Sequence, residues 1–155
     1  MKNNGIPCIV LWGKANCGKT TTLNLLIRKL LNEGAVRLAG NVAPTTEDSW
    51  AVLRYHSAIG IKTLGIITAG DSGSSLEFYL NKVEEAVRSC DVYICASRTR
   101  GNSCEYLKER FGNRILWQEK WSVSGESIAA LGLSKLQNEA NYAQVNGIMA
   151  MLDMI

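Results

Sequence analysis

The sequence predicts an α/β fold of three layers, built on a mainly parallel sheet with one antiparallel edge strand. Three observations predict it. Short apolar runs alternate along the chain with segments of helical period, the pattern that strand–helix–strand units leave. A glycine-containing segment, Gly13 to Gly18, interrupts the first apolar run just before the first helical stretch. The 155 residues are 46% hydrophobic and 20% charged, enough to bury one core and matching a single domain over residues 1–155.

The elements follow in order. Ile6 to Trp12 reads as a strand buried on both faces. Thr20 to Glu33 is helical, with Leu23, Leu26, Ile27, Leu30 and Leu31 on one stripe and Gly34 as its stop. Ala35 to Ser49 reads as a long irregular connection. Trp50–His56 and Lys62–Thr68 read as two strands, joined through Ser57–Gly60 as a hairpin that includes the antiparallel edge strand. Gly70, Asp71, Ser72 and Gly73 make a turn, and Leu76 to Ser89 returns to helical spacing. Asp91 to Ala96 is a further apolar strand, Ser103 to Phe111 a short helix and Arg114 to Trp117 another strand. Ser134 to Ile155 closes as a helix with Leu136, Ala140, Ala143, Ile148 and Leu152 facing inward.

Composition narrows the function classes. Seventeen Lys and Arg against fourteen Asp and Glu leave +3, so charge gives no support to nucleic acid as a partner. No apolar stretch approaches the length of a membrane span, and Met1 to Pro7 lacks the pattern of a secretory signal. Five cysteines (8, 17, 90, 95 and 104) share no Cys-x-x-Cys spacing. The expectation is reduced thiols in a cytoplasmic protein with no membrane partner.

One segment carries chemistry strongly. Gly13-Lys14-Ala15-Asn16-Cys17-Gly18-Lys19-Thr20 sets two glycines five apart, then Lys and Thr, between a strand and a helix. Glycines let successive backbone N–H groups curl around phosphate oxygens, and the helix start adds the positive end of its dipole. Lys19 reaches β- and γ-phosphates in such a loop, and the Thr20 hydroxyl ligates Mg²⁺. The nucleotide-binding residues are therefore Gly13 through Thr20 with Thr21 beside them.

On these residues the chain resembles the P-loop NTPase superfamily, from Ile6 to about Leu31. Lys14, with Gly18-Lys19-Thr20-Thr21-Thr22, is similar to the signature-lysine loop of partition-type ATPases, although Ala15-Asn16 stand where that group has two glycines. Asn16-Cys17-Gly18-Lys19 with Leu23-Asn24 resembles the loop of translation-factor-type GTPases instead, and Pro44-Thr45-Thr46 lies where those place a switch threonine. Two departures count against guanine. Ile67 stands at the position of their aspartate, and Ser97-Arg98-Thr99-Arg100 replaces Asn-Lys-x-Asp. The resemblance implies ATP with Mg²⁺, in hydrolysis or phosphoryl transfer. A nucleotide-dependent switch with slow turnover and a small nucleotide kinase are the alternatives.

Other candidates come from the rule that ligands sit at the carboxyl ends of parallel strands. Asp71 is placed there as a metal or catalytic carboxylate, with an Asx turn as its structural role. Glu47 and Asp48, in the irregular segment, read as a solvated loop or a helix cap sooner than as a catalytic pair. Arg98 and Arg100 follow another strand, where guanidinium forks bind phosphate oxygens. Cys17 sits beside a helix start, where a thiol is activated, or is inert. His56, alone on a strand, reads as structural. Trp50, Trp117 and Trp121 are too scattered in sequence to form a stacking platform. Lys14 either reaches a second subunit, with the methionine-rich closing helix covering a homodimer contact, or stays solvated.

Overall fold

The computed structural model describes residues 5–122 and 130–155; the first four residues of the Met1–Pro7 segment lie outside these. Among the described residues six strands and four helices follow in order: β1 (Cys8–Trp12), α1 (Lys19–Asn32), β2 (Val36–Gly40), β3 (Trp50–Ser57), β4 (Gly60–Ile67), α2 (Gly73–Ala86), β5 (Val92–Ser97), α3 (Asn102–Phe111), β6 (Ile115–Glu119) and α4 (Ala130–Leu152). They form one mixed sheet in the order β2-β3-β4-β5-β1-β6. β1 pairs in parallel with both β5 and β6, and β4 in parallel with β5. β3 runs antiparallel to β4 on one side and to β2 on the other.

Two expectations are corrected here. The reversed strand is not at an edge: β3 lies inside the sheet, because the Ala35–Ser49 connection contributes a strand of its own, β2, beyond it. β2 hides in the sequence because it is short and irregular. Its register slips between Arg37 and Ala39, and Gly40 takes φ +86° where a Cβ would lie 2.2 Å from the Trp50 carbonyl oxygen. With Val36 and Leu38 exposed, no buried alternating face marks it.

Side-chain alternation sends successive strand residues to opposite faces, which makes two cores. On one face Leu23, Leu26, Ile27 and Leu30 of α1, with Val145, Ile148 and Leu152 of α4, cover Ile9, Leu11, Leu64 and Ile94. On the other, Leu76, Leu80 and Val83 of α2, with Leu107 and Phe111 of α3, cover Val10, Ile67, Tyr93 and Cys95. β1 and β5 read as continuous apolar runs because helices cover both their faces.

The closing helix is rotated from expectation. Leu136 and Ala143 are exposed, and the buried side runs through Asn141, Gln144, Val145, Ile148 and Met149 to Leu152. Val145, Ile148, Met149 and Leu152 of its second half join the core with α1, while Gln137, Asn138 and Asn141 line a cleft beside the segment that follows β1. No helix among the described residues is long and apolar enough to cross a membrane.

Candidate functional site

Because β1, β4, β5 and β6 run the same way, the segments that follow them meet at one edge of the sheet. The loop after β1 is tied to its neighbours through the backbone: Gly13 N–H donates to the Ser97 carbonyl at 3.0 Å, and Lys120 N–H to the Trp12 carbonyl at 2.7 Å. Between Gly13 and α1 the chain turns through two left-handed residues, Asn16 at φ 60° and Gly18 at φ 95°. Asn tolerates that conformation better than most residues, and Gly adopts it freely. Gly13 serves another purpose: a Cβ there would lie 2.8 Å from Cys17 Sγ and 3.1 Å from Lys120 Cβ.

α1 starts without a side-chain cap and with no acidic residue in its first turn. Its first N–H groups are thus left to whatever anion the loop encloses. The Lys19 ammonium folds back under the loop, donating to the carbonyls of Gly13 and Lys14, both at 2.8 Å, with Cys17 Sγ at 3.9 Å. Lys19 is only 6% exposed, and burial lowers its pKa, with Cys17 and Asp71 pulling the other way.

A second buried ammonium lies against the same loop. Lys120 is 5% exposed, donates to Asn141 Oδ1 at 2.8 Å and to the Trp121 carbonyl, and passes close to Gly18. Burial lowers its pKa as well, partly offset by Cys17. Among the described residues neither lysine has an ion pair. Two buried cations without a carboxylate are costly unless an anion joins them. Lys120 is not marked by the sequence because the apolar run within Arg114 to Trp117 stops short of it; β6 continues to Glu119, which puts Lys120 at the same sheet edge as Arg98.

Two clefts flank the loop and share Asn16, Gly18 and Thr21. One, about 370 Å³, adds Thr46, Asp48 and Asp71 to Lys19 and Thr20. The Thr20 hydroxyl lies 3.2 Å from both Asp48 Oδ1 and the Thr68 carbonyl oxygen. Asp48 therefore touches Thr20, whereas Asp71 lines the same cleft but meets Arg98, Nε to Oδ1 at 3.5 Å. Asn24 explains the placement of Asp48. Buried on α1, its amide donates to the carbonyls of Pro44, Thr45 and Glu47, at 3.4, 3.1 and 2.8 Å, and its Oδ1 accepts from the Ser49 hydroxyl. An asparagine buried among helical leucines was the available signal. Gly70 holds β4's exit close to β5, for a Cβ there would lie 2.3 Å from the Ala96 backbone.

The other cleft, about 480 Å³, is lined on its far side by Gln137, Asn138 and Asn141 of α4, with Lys14 at its rim. Among the described residues no carboxylate lines it. Of the remaining sequence candidates, Glu47 and Arg100 line neither cleft, and His56 lies near the opposite end of the sheet, paired with Ile61. All five cysteines are free thiols, and Cys17 alone is not buried. Compared with protein-family models, with curated proteins and with solved structures, the chain matches none.

Proposed function

We propose that the chain binds a nucleoside triphosphate on the Gly13–Thr20 loop and, with Mg²⁺, hydrolyses it or passes on its γ-phosphoryl group. The observation that carries this reading is a pair of buried ammoniums, Lys19 and Lys120, without an ion pair among the described residues, against a loop whose backbone turns left-handed just before an uncapped helix. Such a loop accepts phosphate oxygens and stabilises the charge that develops on them.

The donor set fits Mg²⁺. Thr20 and Asp48 offer oxygens 3.2 Å apart with Asp71 in the same cleft, and among the described residues no group of three or more His, Cys, Asp or Glu is placed to hold a metal by itself. Mg²⁺ is ordinarily held this way, by one or two protein oxygens, substrate phosphates and water. When bound it neutralises charge on the phosphate oxygens. Thr20 and Asp48 would hold it, Lys19 would bind phosphate, and Arg98 contacts Asp71, which lines the same cleft. The amide-lined cleft suits the uncharged nucleoside end, and ATP is favoured because the Ser97-Arg98-Thr99-Arg100 turn offers no carboxylate for guanine.

A slow nucleotide-dependent switch is the second reading. One observation favours it: the irregular segment carrying Thr46 and Asp48 is held on α1 chiefly through Asn24, so contacts at Thr20 and the position of that segment are linked. Binding of ATP, GTP, CTP and UTP with and without Mg²⁺, followed by steady-state turnover, tests both. Absence of nucleotide binding overturns both, and binding with negligible turnover selects the switch.

A further inference from the structure

A third cleft, about 250 Å³, opens on the α3 face of the sheet and is lined by Trp12, Arg98, Thr99, Cys104, Lys108 and Trp117. Four elements build it. β1 ends at Trp12, β5 runs on into Arg98, α3 sets Cys104 and Lys108 one turn apart, and β6 contributes Trp117 in register with Val10. It stays open because α3 turns Leu107 and Phe111 inward over the central strands. β6 is the last strand of the sheet, and Trp117 remains 40% exposed.

Among the described residues the lining combines two indoles with two cations and no carboxylate. Arg98 is tied only loosely, by the 3.5 Å contact to Asp71, and Lys108 by a 3.8 Å contact to Glu105, all four side chains being well exposed. Surface pairs of this kind contribute little, so both cations are available to an anion. Indole faces accept planar rings, and a guanidinium fork with an ammonium matches the charge of a phosphate dianion.

We infer that this cleft is a second ligand site, for a planar ring carrying a single phosphate: a mononucleotide, its ring against Trp12 and Trp117 and its phosphate on Arg98 and Lys108. The volume lies below the roughly 300–1,000 Å³ of pockets that enclose drug-sized ligands, which suits one ring and one phosphate rather than a triphosphate. A phosphate on Arg98 competes with Asp71 for the guanidinium and so frees a carboxylate that lines the Lys19 cleft. The site itself does not depend on the loop binding nucleotide; only that coupling rests on the reading above.

AMP is the probe, titrated calorimetrically into the full chain and into Lys19→Ala, which removes binding at the loop. The expected result is saturable AMP binding of equal affinity in both proteins. Adenosine and ribose 5-phosphate should each bind at least about tenfold more weakly, a loss of about 1.4 kcal/mol. Trp117→Leu and Lys108→Ala, both at exposed positions, should each weaken AMP by a similar factor. Absence of saturable AMP binding to Lys19→Ala overturns the inference. So does unchanged affinity in both cleft variants, or ribose 5-phosphate binding as tightly as AMP. ATP titrated into the wild-type chain reports the loop separately, so its failure leaves this cleft standing and the reverse also holds.

Discussion

The two clefts beside the Gly13–Thr20 loop share three residues yet differ in chemistry. On the β4 side, Asp48 accepts from the Thr20 hydroxyl and Asp71 adds a second carboxylate to the same cleft. On the α4 side, Asn141, Asn138 and Gln137 offer amides, with Asn141 accepting from the buried Lys120, and among the described residues no carboxylate. One loop thus separates a half able to hold a hard cation from a half able to hold uncharged polar groups. The difference teaches that one loop backbone can be given two chemistries by its neighbours; on the proposed reading these divide the roles of metal and nucleoside between its two sides.

The largest expected effect removes what the two halves share. Lys19→Ala should reduce turnover by about 100-fold or more, with the far-ultraviolet circular dichroism unchanged, since one positioned cation on a transferring phosphoryl group is worth that much. Wild-type turnover in this variant would end the reading of the loop as the working site. Next, Asp48→Asn should lower the Mg²⁺-dependent rate by about tenfold or more while nucleotide affinity in EDTA holds. Asp71→Asn should lose less, because its carboxylate faces Arg98 rather than Thr20. The reverse ranking would move the metal position to Asp71.

Lys120→Met probes the amide side and should weaken nucleotide binding roughly tenfold, the scale of a hydrogen bond to a charged group. It should also change how stability depends on pH. Burial lowers the pKa of Lys19 and Lys120 in the folded chain, so between those lowered values and the ordinary lysine value of about 10.4 the unfolded chain binds more protons. Stability of the ligand-free protein should therefore rise with pH through that window, and Lys120→Met should flatten the rise in urea midpoints. An identical slope in the variant would mean that Lys120 does not contribute to it.

Base choice should show a smaller effect: ATP should bind at least as tightly as GTP in competition, and a strong preference for GTP would revive the GTPase-like reading of Pro44-Thr45-Thr46. Smallest is a labelling difference. Cys17 should be the first thiol alkylated, and nucleotide should slow its reaction, while burial pushes the Cys90 thiol up to about 12 and keeps it unreactive. Mass mapping after partial alkylation reads this directly, and modification of Cys90 ahead of Cys17 would contradict the geometry of the loop.

How much was legible follows from the range of the interactions. The apolar runs of β1 and β5, the leucine stripe of α1 and the loop between β1 and α1 are local patterns, each set within a few residues by backbone sterics and the side-chain period. The sequence alone thus determined the loop, its lysine and the alternation of strands and helices. It did not determine that β2 pairs beyond β3, because a short, bulged edge strand with no buried face lacks a local signature. Nor did it place Asp48 on Thr20, Lys120 under Gly18, or Trp12 beside the same cleft as Trp117. Those meetings join residues far apart in the chain, and the strand order decides them: β6 lies next to β1, so the residue that follows it reaches the loop that follows β1.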